Sequence, residues 1–344
     1  MKAIIQTERE RGGVEVGERK RPEPGPDEAL VRVHTAGLCG SDVHAYKYVP
    51  GYEFVDVPRI MGHEYAGEVV EMGSDVTTLS PGTKVVEEPI HDCGECFQCK
   101  NGQSNVCRNF EITGFHRDGA WREYHTVEAH HLHEIPDDVP LSEAALTEPT
   151  SIATRAVLER SLVTPGDDVL VEGPGPIGVL TALVADSVGT NVYVSGLGRD
   201  AEYRLPLVEE QGLTAINVEK TDLGEVAERE TVGGGFDVVF DTTGHHTGVE
   251  VAAEHVRKGG QIVVVGLPGS DSELFVTPLV RGEVSLDASY GSVWRNFEQA
   301  LRLMENGSVD PTAITEPYDP DDPVTAFEEF LDGAVCKPTF RFGE

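Results

Sequence analysis

A chain of 344 residues with 39% hydrophobic content is long enough for two domains of ordinary size. It carries 60 acidic residues against 27 basic ones, a formal charge of −33, and only 8 of the basic residues are Lys. Such a surface repels nucleic acid and anionic membranes, which excludes both as partners. The acids are spread among apolar runs along the whole chain, so they do not form a disordered acidic tail. Dispersed acid with scarce Lys instead suits a salt-rich cytoplasm, where ions screen the self-repulsion. No apolar run approaches about 18 residues, and the start, MKAIIQTERERGG, lacks the apolar core of a signal peptide. A soluble, cytoplasmic chain is expected.

Residues 1–150 are rich in short β-type runs, among them KAIIQ, ALVRVHTAG, HEYAGEVVEMG, TKVVEE and REYHTV, joined by Gly-, Pro- and Asp-bearing turns. They predict an irregular β-barrel with loops long enough to build sites. Two of its segments offer metal donors. GLCGSDVH holds Cys39, Ser41, Asp42 and His44, and GHEYAGEV holds His63 and Glu64. Cys39 and His63 suit a zinc that keeps one position open; the third ligand is Glu64, or Glu148 in TEPTSIATRAV. Singly, an isolated Cys is core and Glu64 a salt-bridging acid; the reading rests on their occurring together.

Next comes HDCGECFQCKNGQSNVC, with Cys93, Cys96, Cys99 and Cys107. Thiolates so spaced close a tetrahedral zinc site with no position left for substrate, a staple for a lobe spanning about residues 88–110. An iron–sulfur cluster also takes four cysteines, and disulfides are the blander alternative, ill suited to a six-cysteine chain without a leader.

Near residue 165 the pattern changes. DVLVE is an apolar strand, and GPGPIGVLTALVADSVG is a Gly-rich turn entering a helix; NVYVSG, TAINV, FDVVFDTTG, GGQIVVVG and EVSLDAS follow as strands with helical segments between most of them. This alternation predicts a parallel, doubly wound sheet. Gly173, Gly175 and Gly178 form G-x-G-x-x-G after a strand and at a helix start, where backbone approaches a pyrophosphate and the helix N-terminus favours its charge. Pro176 and Ile177 belong to the same turn, and Ser195, Thr242 and Gly266 at later strand ends complete the expected cofactor surface. The acid that holds the adenosine ribose should close the second strand, yet Gly196 stands there, with Arg199 and Arg204 following and Asp200 a more distant candidate. Gly leaves room for a 2′-phosphate and a guanidinium can pair with it, which predicts NADP over NAD. Finally, WRNFEQALRLMENG has helical spacing, and TAFEEFLDG with KPTFRFG reads as a helix and a strand able to return to the first domain.

The order GLCGSDVH, GHEYAGEV, the four-cysteine lobe, TEP and GPGPIG resembles the zinc-dependent medium-chain alcohol and polyol dehydrogenases. The resemblance covers essentially the whole chain. It implies a GroES-like catalytic domain over 1–155, a Rossmann domain over 156–290, a return to the catalytic domain over 291–344, and an active site in the cleft between them. It also implies that Cys39, His63 and Glu64 match the catalytic zinc segment, and that Ser41 and His44 match the proton-relay positions. Glu148 falls where alcohol-selective members have Cys and sorbitol-type members Glu, which favours sugars or polyols; threonine dehydrogenases share the pattern closely. The expectation is an α/β oxidoreductase with two Zn²⁺ per chain, transferring a hydride between a sugar or polyol hydroxyl and NADP, as a homodimer or homotetramer. The alternatives are a threonine or simple alcohol dehydrogenase, and a non-catalytic NADP- and zinc-binding protein. A relay beside an open metal site argues against the last.

Overall fold

Residues 1–343 are described by the computed structural model, in which the chain divides into two units, Met1–Ser151 with Ser292–Glu344, and Ile152–Gly291. The first is β-rich. Its largest sheet has seven strands, centred on β1 (Glu28–Gly37). That strand is buried at most positions, so its run of apolar residues serves a core on both faces. A seven-residue helix, α1 (Gly40–Tyr46), follows it directly, and β2 (Glu64–Met72) pairs antiparallel with β1, setting Gly37 opposite Glu64. The C-terminal strand Lys337–Arg341 pairs with the other edge of β1, as Thr339 opposite Gly37 shows. Three segments remote in sequence thus meet at one strand end.

The core beneath them is aromatic. Trp121 is fully buried, packs edge-on to Phe340 at 5.2 Å between ring centres, and donates its indole N–H to the Gly37 carbonyl at 3.0 Å. Tyr46 stacks on Phe327 at 4.3 Å. Such rings bury large apolar areas and fix the ends of β1 and α1 against each other.

The second unit is a six-stranded parallel sheet with helices between strands. Its strands are β3 (Asp168–Glu172), β4 (Asn191–Gly196), β5 (Thr214–Asn217), β6 (Phe236–Asp241), β7 (Val256–Val264) and β8 (Ser285–Ala288). They lie in the order β5-β4-β3-β6-β7-β8, so the winding reverses between β3 and β6. β3 is buried throughout, as expected of a strand covered on both faces. Helix α2 (Pro176–Val188) begins with Gly175 at its N-cap and Pro176 in its first turn, and ends on Gly189 in the left-handed region. Helices α3 (Leu223–Glu230) and α4 (Gly248–His255) cover the face that carries Leu170, Val239 and Ile262. The α/β class expected from the sequence is the one found. Among the described residues, no helix is long and apolar enough to cross a membrane.

Candidate metal centres and cofactor site

Cys39 is the N-cap of α1, and His63 immediately precedes β2. The β1–β2 register brings the two turns together, so that donor atoms of Cys39, His63 and Glu64 lie within 4.8 Å of one another. Asp42, fully buried, organises the trio from behind. Its Oδ2 accepts the Cys39 backbone N–H at 2.9 Å, and its Oδ1 stands 3.6 Å from His63 Nδ1. A carboxylate facing Nδ1 favours a proton there and leaves Nε2 as the metal donor. Burial pushes the Asp42 carboxyl up to about 6, against the pull of His63.

Glu64 is fully buried and ion-paired with Lys337, whose ammonium also donates to the Leu38 carbonyl at 2.9 Å. A Cβ on Gly37 would overlap this carboxylate, so Gly there admits the pair. The second oxygen, Oε1, has no hydrogen-bond partner. A buried, unpartnered carboxylate oxygen beside a thiol and an imidazole fits a zinc site with an open position. Glu148, half-buried in the first turn of helix Thr147–Arg155, is pushed up to about 7 by burial, with His63 pulling down and Glu64 pushing up. It therefore feels the same cluster without belonging to the close three-donor group.

Ser41 and His44 lie three residues apart on α1, spacing that puts both on one face. Burial, helped by Lys47, lowers the His44 pKa and keeps the ring neutral near pH 7. His44 stacks against Tyr52 at 5.3 Å. From Tyr52 an aromatic surface continues: Phe54 at 5.7 Å, Phe115 at 6.1 Å, and His116 stacked on Phe54 at 4.8 Å. Phe115 in turn stands 5.3 Å from His63. The wall thus runs from the buried imidazole to Phe54, which is 43% exposed. Neither it nor the roles of Asp42 and Lys337 were read from sequence; the only signal for the wall was aromatic density in PGYEF and GFHR.

In the cysteine lobe the thiols of Cys93, Cys96, Cys99 and Cys107 form no disulfide, and all four converge. The sulfurs of Cys96 and Cys99 are 3.3 Å apart, Cys93 and Cys107 3.5 Å, Cys96 and Cys107 3.8 Å, and Cys93 and Cys99 3.9 Å. A zinc tetrahedron with bonds of ~2.3 Å has edges of ~3.8 Å, so the donor set fits that ion. Backbone N–H groups of Cys93 and Asn109 point at Cys107 Sγ, both at 3.3 Å. Those of Arg108 and Cys99 draw the Cys96 thiol down to about 6. Amide donors aimed at sulfur favour thiolate, the metal-binding form.

In the second unit Gly173 follows β3 with φ +95°, and Thr242 Oγ1 locks the turn by donating to the carbonyls of Glu172 at 2.7 Å and Gly173 at 3.1 Å. A Cβ on Gly178 would overlap the Gly173 carbonyl, so α2, with Pro176 and Ile177 in its first turn, packs hard against the strand end. Gly266 allows the same close approach to Gly244, and Ser195 is buried near the end of β4. Pro176 at the helix start and the open N-terminus of α2 fit a pyrophosphate. At the end of β4 the structure changes one expectation. Gly196 does not leave open space: a Cβ there would come within 2.9 Å of the Pro174 ring and 3.0 Å of Leu205. Arg204 stands 3.7 Å from Asp200, whose other oxygen accepts the Leu197 N–H at 3.0 Å, so both serve the local turn. Arg199 is exposed.

With this geometry in view, the comparisons are direct. Residues 25–137 match the alcohol dehydrogenase GroES-like domain, and residues 176–306 the zinc-binding dehydrogenase domain. The chain is 34% identical to the L-threonine 3-dehydrogenase of Deinococcus deserti, over 98% of each chain, and 34% identical to the sorbitol dehydrogenase of Halalkalibacterium halodurans, over 92% of each. Among solved structures it resembles a short chain alcohol dehydrogenase of Escherichia coli CFT073 complexed with NADH (29% identity, 99% of each chain, TM-score 0.90). It also resembles a zinc-binding dehydrogenase of Sinorhizobium meliloti 1021 bound to NADP (29% identity, 99% of this chain and 98% of that one, TM-score 0.88). A β-rich unit with a Cys/His/Glu trio and a doubly wound unit with a phosphate turn define a metal-assisted dehydrogenase. The chain belongs to the zinc-dependent medium-chain dehydrogenases, NAD(P)-linked oxidoreductases that act on CH–OH groups.

Proposed function

We propose that the chain is a two-zinc dehydrogenase that oxidises a sugar or polyol hydroxyl with NADP, in the cytoplasm and as a homo-oligomer. The observation that carries the substrate class is the aromatic wall from His63 through Phe115 and Tyr52 to Phe54, beside an acid-rich donor set. The C–H faces of sugars and polyols pack on aromatic rings, whose quadrupole is negative on the face. In this reading Cys39 and His63 hold the catalytic zinc, with Glu64 held in place by Lys337 and Glu148 near enough to exchange with it. Cys93, Cys96, Cys99 and Cys107 hold the structural ion.

When bound, zinc supplies a Lewis acid that eases loss of a hydroxyl proton, and nicotinamide supplies the hydride acceptor. The protein's own groups manage the proton and the orientation. Ser41 accepts the substrate hydroxyl proton and passes it to His44, which is neutral near pH 7 and therefore able to take it. Asp42 fixes the His63 ring, and the aromatic wall excludes water along one side of the substrate.

A second reading, oxidation of threonine, is supported by the relatives that carry that activity in their names. The two are separated by following reduced cofactor with polyols, aldoses, threonine and simple alcohols, each with NADP and with NAD, in molar salt. The proposal expects the highest kcat/KM for a polyol or sugar, and a raised KM for it in Phe54→Ala. A highest kcat/KM for threonine would establish the second reading.

A further inference from the structure

Glu172 is the last residue of β3, and Gly173 of the phosphate turn follows it. The parallel register sets Glu172 beside Ser195 of β4 on one side and Asp241 of β6 on the other. Residues so paired point to the same face, here the one covered by α3 and α4. The row therefore crosses the carboxyl ends of β4, β3 and β6, at the place where the strand order reverses. In open α/β sheets that crevice is where ligands bind.

Within this row the two acids differ sharply. Asp241 is satisfied: it accepts the Thr243 N–H at 3.0 Å and its hydroxyl at 2.7 Å. Glu172 is only 3% exposed, and neither of its carboxyl oxygens has a hydrogen-bond partner. Buried polar groups in native proteins are paired, and leaving one unpaired is costly. An unpaired polar side chain at this strand end is placed to take its partner from a ligand seated there.

We propose that Glu172 recognises the adenine base of the dinucleotide, pairing its carboxyl with the ring's N1 and exocyclic amino group. The phosphates of the ligand carry negative charge and are drawn to the start of α2, away from an acid. The ribose is served at the end of β4. The base is the remaining part of the adenosine half that offers an N–H. Burial, reinforced by Asp241, holds the Glu172 carboxyl well above the ordinary range. In its neutral form it has one O–H donor and one C=O acceptor, the complement of the N1 acceptor and the amino donor of adenine. Leu197, 44% exposed just beyond β4, offers an apolar surface for the ring.

The inference rests on the dinucleotide reading of the second unit, and its test separates the two. The probes are NADP and its 1,N6-etheno derivative, in which N1 and the amino group are blocked, with NAD and etheno-NAD alongside. Dissociation constants are measured by fluorescence titration on the zinc-loaded protein, with no turnover required. Wild type should bind the natural dinucleotide on the order of tenfold or more tightly than its etheno derivative, the worth of about two neutral hydrogen bonds. Glu172→Met, similar in length but apolar, should reduce that ratio to about one while raising the melting temperature of the ligand-free protein, since it removes an unpaired buried acid. Glu172→Gln, which keeps one donor and one acceptor, should retain the discrimination. An unchanged ratio in Glu172→Met, a wild type that binds both forms equally, or a ligand-free Glu172→Met that melts lower would overturn the proposal. A protein that bound neither NAD nor NADP would overturn the dinucleotide reading and this inference with it.

Discussion

Lys337 and Glu64 form an ion pair sealed inside the first unit, with side chains 1% and 0% exposed. The ammonium comes from the C-terminal strand and the carboxylate from β2, so the pair ties that strand to a candidate metal donor. Removing one partner of a buried pair leaves the other charge uncompensated and costs about 3–5 kcal/mol. Lys337→Met should lower the denaturation midpoint accordingly and weaken zinc retention, and adding Glu64→Leu should recover much of the stability but not the zinc. A Lys337→Met protein with an unaltered midpoint would show that the pair contributes nothing to the stability of the fold.

Cys39→Ser should abolish turnover while dinucleotide binding persists, because the two sites are built by different units. His44→Ala should slow the reaction less, since water can substitute in a proton relay; groups of this kind are worth ~10²–10⁴-fold. Steady-state rates and dinucleotide titration on both variants decide the matter. Near-normal rates in Cys39→Ser would remove the basis for a catalytic metal there.

The proposed preference for NADP turns on Arg199, exposed beyond β4. Arg199→Ala should weaken NADP by one to three charge-assisted hydrogen bonds, each about 1.5–3 kcal/mol, and leave NAD nearly unaffected. Gly196→Asp is expected to repel a 2′-phosphate, but the Pro174 ring and Leu205 crowd its Cβ, so it should also lower stability. The paired measurements are kcat/KM for both dinucleotides and the melting temperature. A wild type that prefers NAD would mean that Arg199 does not meet a phosphate.

With a formal charge of −33, self-repulsion should destabilise the folded state when salt is removed. The screening length grows from about 3 Å at 1 M to about 30 Å at 0.01 M. The melting temperature should fall steadily across that range, and a flat profile would sink the inference of a salt-rich setting.

What the sequence made legible was local. The four cysteines lie within one short run, and the glycines after β3 sit in a fixed strand–turn–helix frame, so spacing alone reported the convergence of the sulfurs and the tightness of the turn. Cys39, His63 and Glu64 needed only the knowledge that two short segments meet. Lys337 was invisible because no pattern links a C-terminal strand to Glu64 until both are paired around β1. Asp42 stood in plain view, but its service to both Cys39 and His63 depends on the first turn of α1 lying against the segment that precedes β2. The aromatic wall was hidden for the same reason: Tyr52, Phe54 and Phe115 belong to two irregular loops, where no periodicity reports which rings meet. Gly196 misled in the opposite direction. A missing side chain read as space, whereas Pro174 and Leu205 had already filled it.

The account stands or falls on the metal at Cys39, His63 and Glu64. The decisive measurement is zinc content per chain alongside reduced-cofactor formation and far-ultraviolet circular dichroism, as a mild chelator is titrated in and zinc is then restored. Closed thiolate sites contribute folding energy directly, while an open site exchanges ligands with water. Active protein should hold two zinc ions; the first to leave should take the activity and spare the fold, and its return should restore turnover. Full activity with one zinc or none would contradict the assignment.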